Sequence, residues 1–471
     1  MSNYTPSDNT NDIKLLLANY RNLRAGNDYQ FIDEDSFETI INYYDEREQL
    51  SKALEAAELA TAQFTYSSTL LLKKADLLIA TGKHTQALLI LKQVELLDKS
   101  DISLYILLTD AYLATDQQAK AIAILEQVLP QFDGDEKVEL LFQLADVYDD
   151  YENFDKVYDC LALILQIEPN NDEALFKICY WTDHTKRNEE SIQLHLQLIE
   201  ENPYSELAWF NLGSAYQGIQ LYEKAIDAYK YVIAIEDKFD FAYRNIGDAY
   251  MRLRKWKDAT EYLLKVLELA KPEEVIYEAL GYCNEKMKLP AEARFYYKKA
   301  THLNPENASL YYKMACTYMQ QDQWRNAIKL LESATKLTKL HPMYNYAMAQ
   351  CYFQLEEYTV CLQYLSTTIT AKPKSTKAWE LLMICLYSLD TLEAGLHYAN
   401  KALEATQHKT IFYFYQVAFL HALGRTKDAL LLLSKVLPIA PKQLKYLIEL
   451  NPALLQHQQF VDCIVQHKTG K

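Results

Sequence analysis

One spacing constrains this chain more than any other feature: a small residue recurs every 34 positions. Ala53, Ala87, Ala121, Val157, Ser191, Ala225, Ala259, Ala293, Ala327, Cys361, Gly395 and Ala429 keep that step throughout, except from Ala121 to Val157, which is 36. Eight of these twelve positions are Ala and only Val157 is β-branched. A site that stays small at every recurrence is one where two backbones approach closely. A larger side chain there overpacks, at a cost of about 1–3 kcal/mol. Such a period means one supersecondary unit repeated along the chain, each unit burying its apolar face against its neighbours.

The unit is clearest at Ser205–Tyr216 followed by Leu221–Tyr229. Trp209, Leu212, Gly213, Tyr216, Tyr222, Ala225 and Tyr229 stand at offsets 0, 3, 4, 7, 13, 16 and 20. Trp209, Leu212 and Tyr216 step by three or four and so share one face of a first helix. Ala225 and Tyr229 share a face of a second, and Gly213 and Ala225 let the two axes approach. This pattern resembles the helix–turn–helix unit of the tetratricopeptide repeat (TPR) family. Where the family closes its repeat with Pro, this repeat carries Asp237.

The resemblance implies an all-α fold, an α-solenoid wound as a right-handed superhelix of about twelve 34-residue repeats. It is most similar to large multi-repeat bacterial proteins. First-helix aromatics keep the same phase at Tyr44, Tyr112, Tyr148, Tyr216, Tyr250, Tyr318 and Tyr352. Pro169, Pro203, Pro305, Pro373 and Pro441 close repeats, because Pro cannot continue a helix. The two extra residues fall near Gln131–Asp135, a turn-forming stretch. Departures from the pattern are Lys74, Thr182 and Leu386. Three segments are expected: residues 1–33, with Met1 to Asn11 disordered and Ile13 to Leu23 a capping helix; the array over 34–443; and capping helices with a tail over 444–471. The C-terminal pair is expected over Gln443–Leu450 and Pro452–Gln466.

Charge narrows the partners. Residues 1–230 carry 18 basic and 40 acidic side chains, a net of −22, and residues 231–471 carry 30 and 24, a net of +6. The whole-chain value of −16 disfavours nucleic acid. The uneven spread reads either as a solvated surface or as an array whose ends attract different partners. It predicts weak head-to-tail self-association at low salt. The eight cysteines form no C-x-x-C pair and read as reduced packing residues. No apolar run reaches membrane-spanning length, and the N-terminus lacks signal-peptide character, so a cytoplasmic location is expected.

No zinc spacing, phosphate loop or nucleophile elbow occurs, and ten glycines leave little material for one. No cofactor or metal and no enzymatic activity are expected. Asn307-Ala-Ser309 reads as a helix start. Surface remains as the source of function. The resemblance implies that the second, fifth, sixth and ninth positions of each repeat line a concave groove. Ninth positions give Asp76, Asp110, Asp146, Tyr180, Asp248 and Tyr282; fifth positions give Phe142, Phe176, Phe210, Arg244, Glu278, Tyr312 and Tyr346; sixth positions give Asn211 and Asn245. The aspartates read either as caps and solvated charge or as an acidic floor for basic peptides. The aromatics either pack on neighbouring helices or face a ligand. Phe176, Phe210, Asn211, Arg244 and Asn245 are expected on one continuous surface, with the two amides, wet when unbound, fixing a peptide backbone. The Lys/Asn/Asn/Lys/Arg clamp of carboxylate-binding TPR proteins has no counterpart. Arg252-Leu-Arg254-Lys-Trp-Lys257, with Lys286, Lys288 and Arg294, reads either as a solvated rim or as a site for an acidic partner.

These observations predict a non-enzymatic protein–protein scaffold that cradles peptide segments. The alternative is a regulatory sensor of a small peptide or ligand in the same groove.

Overall fold

The computed structural model describes residues 6–26 and 31–469, and among these every regular element is a helix. After a helix Pro6–Arg24, the chain forms twelve helix pairs, from Glu34–Asp45 with Leu50–Gln63 to Ile411–Ala422 with Thr426–Val436. Each first helix packs on its own second helix and each second helix on the next first helix within a unit. The sixth pair, Glu206–Gly218 with Tyr222–Ile235, shows why small residues recur. Ala225 is fully buried, and a Cβ on Gly213 would stand 2.6 Å from the ring of Tyr229. The two helices close only because these positions have no bulk.

Helix starts are local chemistry. Asn171 and Ser205 accept from the Ala174 and Ala208 N–H groups at 2.9 and 3.3 Å, satisfying otherwise orphaned donors. Asn307 does the same for Ser309 at 3.0 Å, the helix start expected there. The turn inside each pair holds one residue with positive φ, at Glu48, Gly82, Asp116, Glu152, Lys186, Gln220, Arg254, Lys288, Asp322, Glu356, Asp390 and Gly424. Only two of the twelve are Gly. In eleven of these turns the next N–H reaches back to a first-helix carbonyl, as from Leu221 to Tyr216 at 2.9 Å, which satisfies that helix end.

Three sequence expectations are corrected: the extent of the first helix, the turn near Gln131–Asp135, and the single helix expected over Pro452–Gln466. Residues 6–11 belong to the helix Pro6–Arg24, where disorder was expected; residues 1–5 lie outside the described residues. The stretch Gln131–Asp135 is only partly a turn. A short 3-10 helix, Leu129–Gln131, leads into a 17-residue first helix, Gly134–Asp150, so the extra residues lengthen that helix at its N-terminal end. At the C-terminus, Leu444–Leu450 is followed by a 3-10 turn, Pro452–Gln456, and the last helix starts at Gln458.

The chain divides into two compact units, Met1–Asp237 and Lys238–Lys471. The first holds six pairs and carries 18 basic and 42 acidic residues, net −24; the second holds six and carries 30 and 22, net +8. In the first unit one apolar core runs from Leu71 to Ala228, and Leu17 and Tyr20 of the leading helix bury against Phe37 and Ile40. In the second, Leu447, Leu454 and Phe460 close over Phe414 and Val436.

Candidate functional site

In the first unit, the first helices Ser68–Ala80 and Ile102–Leu113, with Glu38, border a groove of about 490 Å³. Leu72, Ile106 and Leu107 give it apolar wall, and Glu38, Lys73, Asp76, Asp101 and Asp110 give it charge. Two of these carboxylates are committed locally. Glu38 lies 3.3 Å from the Lys73 ammonium, and Asp101 caps its helix by accepting from the Ser103 N–H at 2.9 Å. Asp110 accepts from the Gln143 amide at 3.0 Å, and Asp76 has no hydrogen-bond partner among the described residues. Partial burial pushes the Asp110 carboxyl up, and the charge of Asp76 adds to that push. Asp76 is raised by the protein crowding it and by Asp45, with Lys73 opposing. The 34-residue step therefore brings Asp76 and Asp110 into one groove. Asp146 lies outside its lining, 3.8 Å from Lys177.

The fifth pair presents aromatic surface. Phe176 and Tyr180, one helical turn apart, are 76% and 63% exposed. Phe210 of the sixth pair is half-buried, its ring 5.5 Å from that of Tyr229. Asn211 departs from its expected role. It is 3% exposed, and its amide donates to the Leu175 carbonyl of the preceding first helix at 2.7 Å. A wet amide open to a peptide is therefore corrected to a buried tie between the fifth and sixth pairs. The sixth position lies one residue, about 100° round the helix, from the fifth-position row, which aims Asn211 at the neighbouring helix.

In the second unit, the Arg244 guanidinium pairs with Glu273 at 2.7 Å and lies 5.6 Å from the Phe241 ring. Asn245 is half-buried, and Asp248 lies 3.6 Å from Arg252. Of the basic cluster, Lys255 lies 5.9 Å over the Tyr250 ring, Lys286 sits 4.9 Å over Tyr282, and Arg294 donates to Gln321 at 2.9 Å and lies over Tyr318.

Sequence reasoning put Tyr346 on the groove row but missed the cleft of about 440 Å³ that it lines in this unit with Cys316, Met319, Gln320, Trp324, Gln350, Phe353, Gln354 and Leu381. It carries no ionised side chain, and its polarity comes mainly from three glutamine amides. Gln320 and Gln354 are one period apart, a signal the sequence held. Second positions were also informative: Phe241, Val275 and Met343 are 55%, 65% and 53% exposed. Beyond these, Lys409, Lys442 and Lys445 border a further cleft with Glu380 and His408. No group of metal-ligating side chains able to hold an ion occurs among the described residues. None of their helices is long and apolar enough to cross a membrane.

Comparison with known proteins follows the helix pairs. Models of the tetratricopeptide repeat match residues 78–141, 207–239 and 242–276. The model of anaphase-promoting complex, cyclosome, subunit 3 matches residues 286–368. No curated protein matches. Among solved structures, the C-terminal part of a TPR repeat-containing protein from Cytophaga hutchinsonii is similar at 16% identity, over 54% of this chain and 99% of that one, with a TM-score of 0.44. The APC/C hetero-tetramer Cut9-Hcn1 is similar at 11% identity, over 83% and 97%, with a TM-score of 0.35. YrrB, a TPR protein with an unusual peptide-binding site, is similar at 20% identity, over 39% and 95%, with a TM-score of 0.35. With a 34-residue period, a helix pair in every period and four matched segments, this chain belongs to the tetratricopeptide-repeat family.

Proposed function

We propose that the chain is a non-enzymatic protein-interaction scaffold, and that the groove around Asp76 and Asp110 takes basic segments of a partner. One observation carries this reading. Two carboxylates of adjacent repeats share a half-apolar groove in which each is harder to ionise than usual, and Asp76 contributes to the shift of Asp110. A lysine or arginine entering the groove relieves that repulsion while its stem covers Leu72 and Ile106. Within the same reading, Phe176 and Tyr180 supply sequence-tolerant apolar contact. Phe210, Arg244, Asn245, Asp146 and Asp248 border the peptide path in their own units, and the segments 1–33 and 444–471 cap the array.

Fluorescence anisotropy with a lysine-rich and a glutamate-rich peptide of equal length tests it. The lysine-rich peptide should bind, weaken with salt, and lose about tenfold in affinity, a little over 1 kcal/mol, in the Asp76→Asn/Asp110→Asn double variant. Equal binding of both peptides, or indifference to the double variant, would refute it.

The neutral cleft beside Trp324 favours a second reading, a sensor of a small uncharged ligand or short peptide. A small molecule retained through purification and lost in Trp324→Ala would support that reading. The opposite charges of the two units favour weak head-to-tail association between molecules at low salt. A monomer mass by light scattering that stays constant down to low ionic strength would argue against it.

A further inference from the structure

The second helix of the tenth pair, Tyr358–Ala371, carries Cys361, and the first helix of the eleventh, Thr376–Ser388, carries Cys385. Both are fully buried, and their Sγ atoms lie 3.4 Å apart as free thiols. Cys361 occupies the recurrent small position, and Cys385 lies 24 residues on. The contact belongs to the repeat and not to an accident of two side chains. One period later the same pair is Gly395 and Phe419, and a Cβ on Gly395 would meet that ring at 2.0 Å. In sister repeats the pair reads Ala225 and Ala249, Ala259 and Cys283, Ala293 and Thr317, and Ala327 and Cys351. Only at this junction does the sequence place cysteine on both sides.

We propose that Cys361 and Cys385 are an oxidative clamp, a dithiol that hydrogen peroxide converts to a disulfide joining the tenth and eleventh repeats. One thiolate Sγ attacks a peroxide oxygen and the O–O bond breaks, leaving a sulfenic acid and releasing hydroxide, which takes up the displaced thiol proton as water. The second Sγ attacks the sulfenic sulfur, the S–O bond breaks, and hydroxide leaves to be protonated by the second thiol's proton. Two thiols and one peroxide give one disulfide and two waters, and the peroxide receives both electrons. Bond formation asks the sulfurs to close from 3.4 Å to about 2.0 Å. The contact with Cys385 and burial hold the Cys361 thiol well above its usual range. Both sulfurs are sealed from solvent, so peroxide reaches them only when the junction opens, which ties the chemistry to local opening of the array. The eleventh first helix carries the Leu381 wall of the neutral cleft, and the tenth carries its Tyr346 wall. The bond fixes one wall against the repeat that holds the other.

The test exposes the full chain to hydrogen peroxide just below its thermal midpoint, where junctions open, then returns it to low temperature. Peptide mapping with cleavage at Glu356, Glu357 and Lys377 separates Cys351, Cys361 and Cys385. The expected result is a Cys361–Cys385 cross-link, reversed by reductant, while Cys283 and Cys351 remain thiols. The midpoint of the linked form should rise by a few degrees. Cys361→Ala and Cys385→Ala restore residues that sister repeats already use, so both variants should fold, and each should abolish the link and the rise. Either result overturns the proposal: Cys361 and Cys385 both still free after incubation, or both carrying added oxygen without a bond between them.

Discussion

The fifth and sixth repeats are neighbours of the same length and fold, yet they fill the space between their helices by opposite means. In the sixth, Gly213 lies under the Tyr229 ring and Ala225 closes the gap, an apolar solution. In the fifth, the corresponding space holds Thr182, Ser191 and His195, all buried. The Thr182 hydroxyl donates to the Ile178 carbonyl at 2.8 Å, and the His195 Nδ1 lies 2.7 Å from the Ser191 carbonyl. That contact places the proton on Nδ1 and leaves Nε2 an acceptor, buried without a partner. The same repeat turns Phe176 and Tyr180 outward. A repeat array tolerates such an exchange because each unit answers mainly to its neighbours. The fifth repeat gives up apolar core and gains exposed aromatic surface.

Acid should separate the two repeats most. Burial pushes His195 down to about 4, from an ordinary value of 6.5. A folded pKa below the unfolded one means that the unfolded chain binds the proton first. The stability of the fifth repeat is complete above pH 6.5 and is lost as pH falls toward 4, on the order of 3 kcal/mol in all. Hydrogen exchange at pH 5 should open Asn188–Glu201 well before Tyr222–Ile235, and His195→Leu should remove the difference. Equal protection of both helices at both pH values would break the comparison.

Overpacking should invert it. Gly213→Ala drives a methyl into the Tyr229 ring, and Ala225→Leu fills a site with no free space, each at about 2 kcal/mol. Exchange should then report the sixth repeat opening first at neutral pH. Unchanged melting in both variants would mean that the small positions do not carry the packing.

The tie between the repeats is smaller. Asn211→Ala removes the bond to the Leu175 carbonyl and should cost about 1 kcal/mol, read as a lower urea midpoint. A stability equal to the parent would return Asn211 to the open groove. Smallest is the turn. Gln220 holds a left-handed φ of 64°, and Gln220→Gly should stabilise the sixth repeat by about 1 kcal/mol. Lys186→Gly at φ 62° should do the same for the fifth, so a gain in only one would show that their turns differ in context.

Several features are legible in the amino-acid order itself. The period fixed twelve helix pairs, the small residues marked where the helices touch, and Asp76 and Asp110 fell to one groove, because equal positions return to equal faces. Asn307 at a helix start is chemistry local to a few residues. What the sequence left undecided depends on the neighbour. The sixth position was read as groove, but Asn211 reaches the adjacent first helix, since helical phase gives a direction and not the distance to what lies there. Ten left-handed turn residues carry no Gly to announce them, because the surrounding helix pair imposes a conformation those residues do not prefer. The glutamine-lined cleft needs the side chains of three first helices together with a second-helix tryptophan. Sequence alone determined the repeat and the faces it presents. Tertiary structure alone decided which of those faces are filled, because burial is set by the partner helix and not by the residue that meets it.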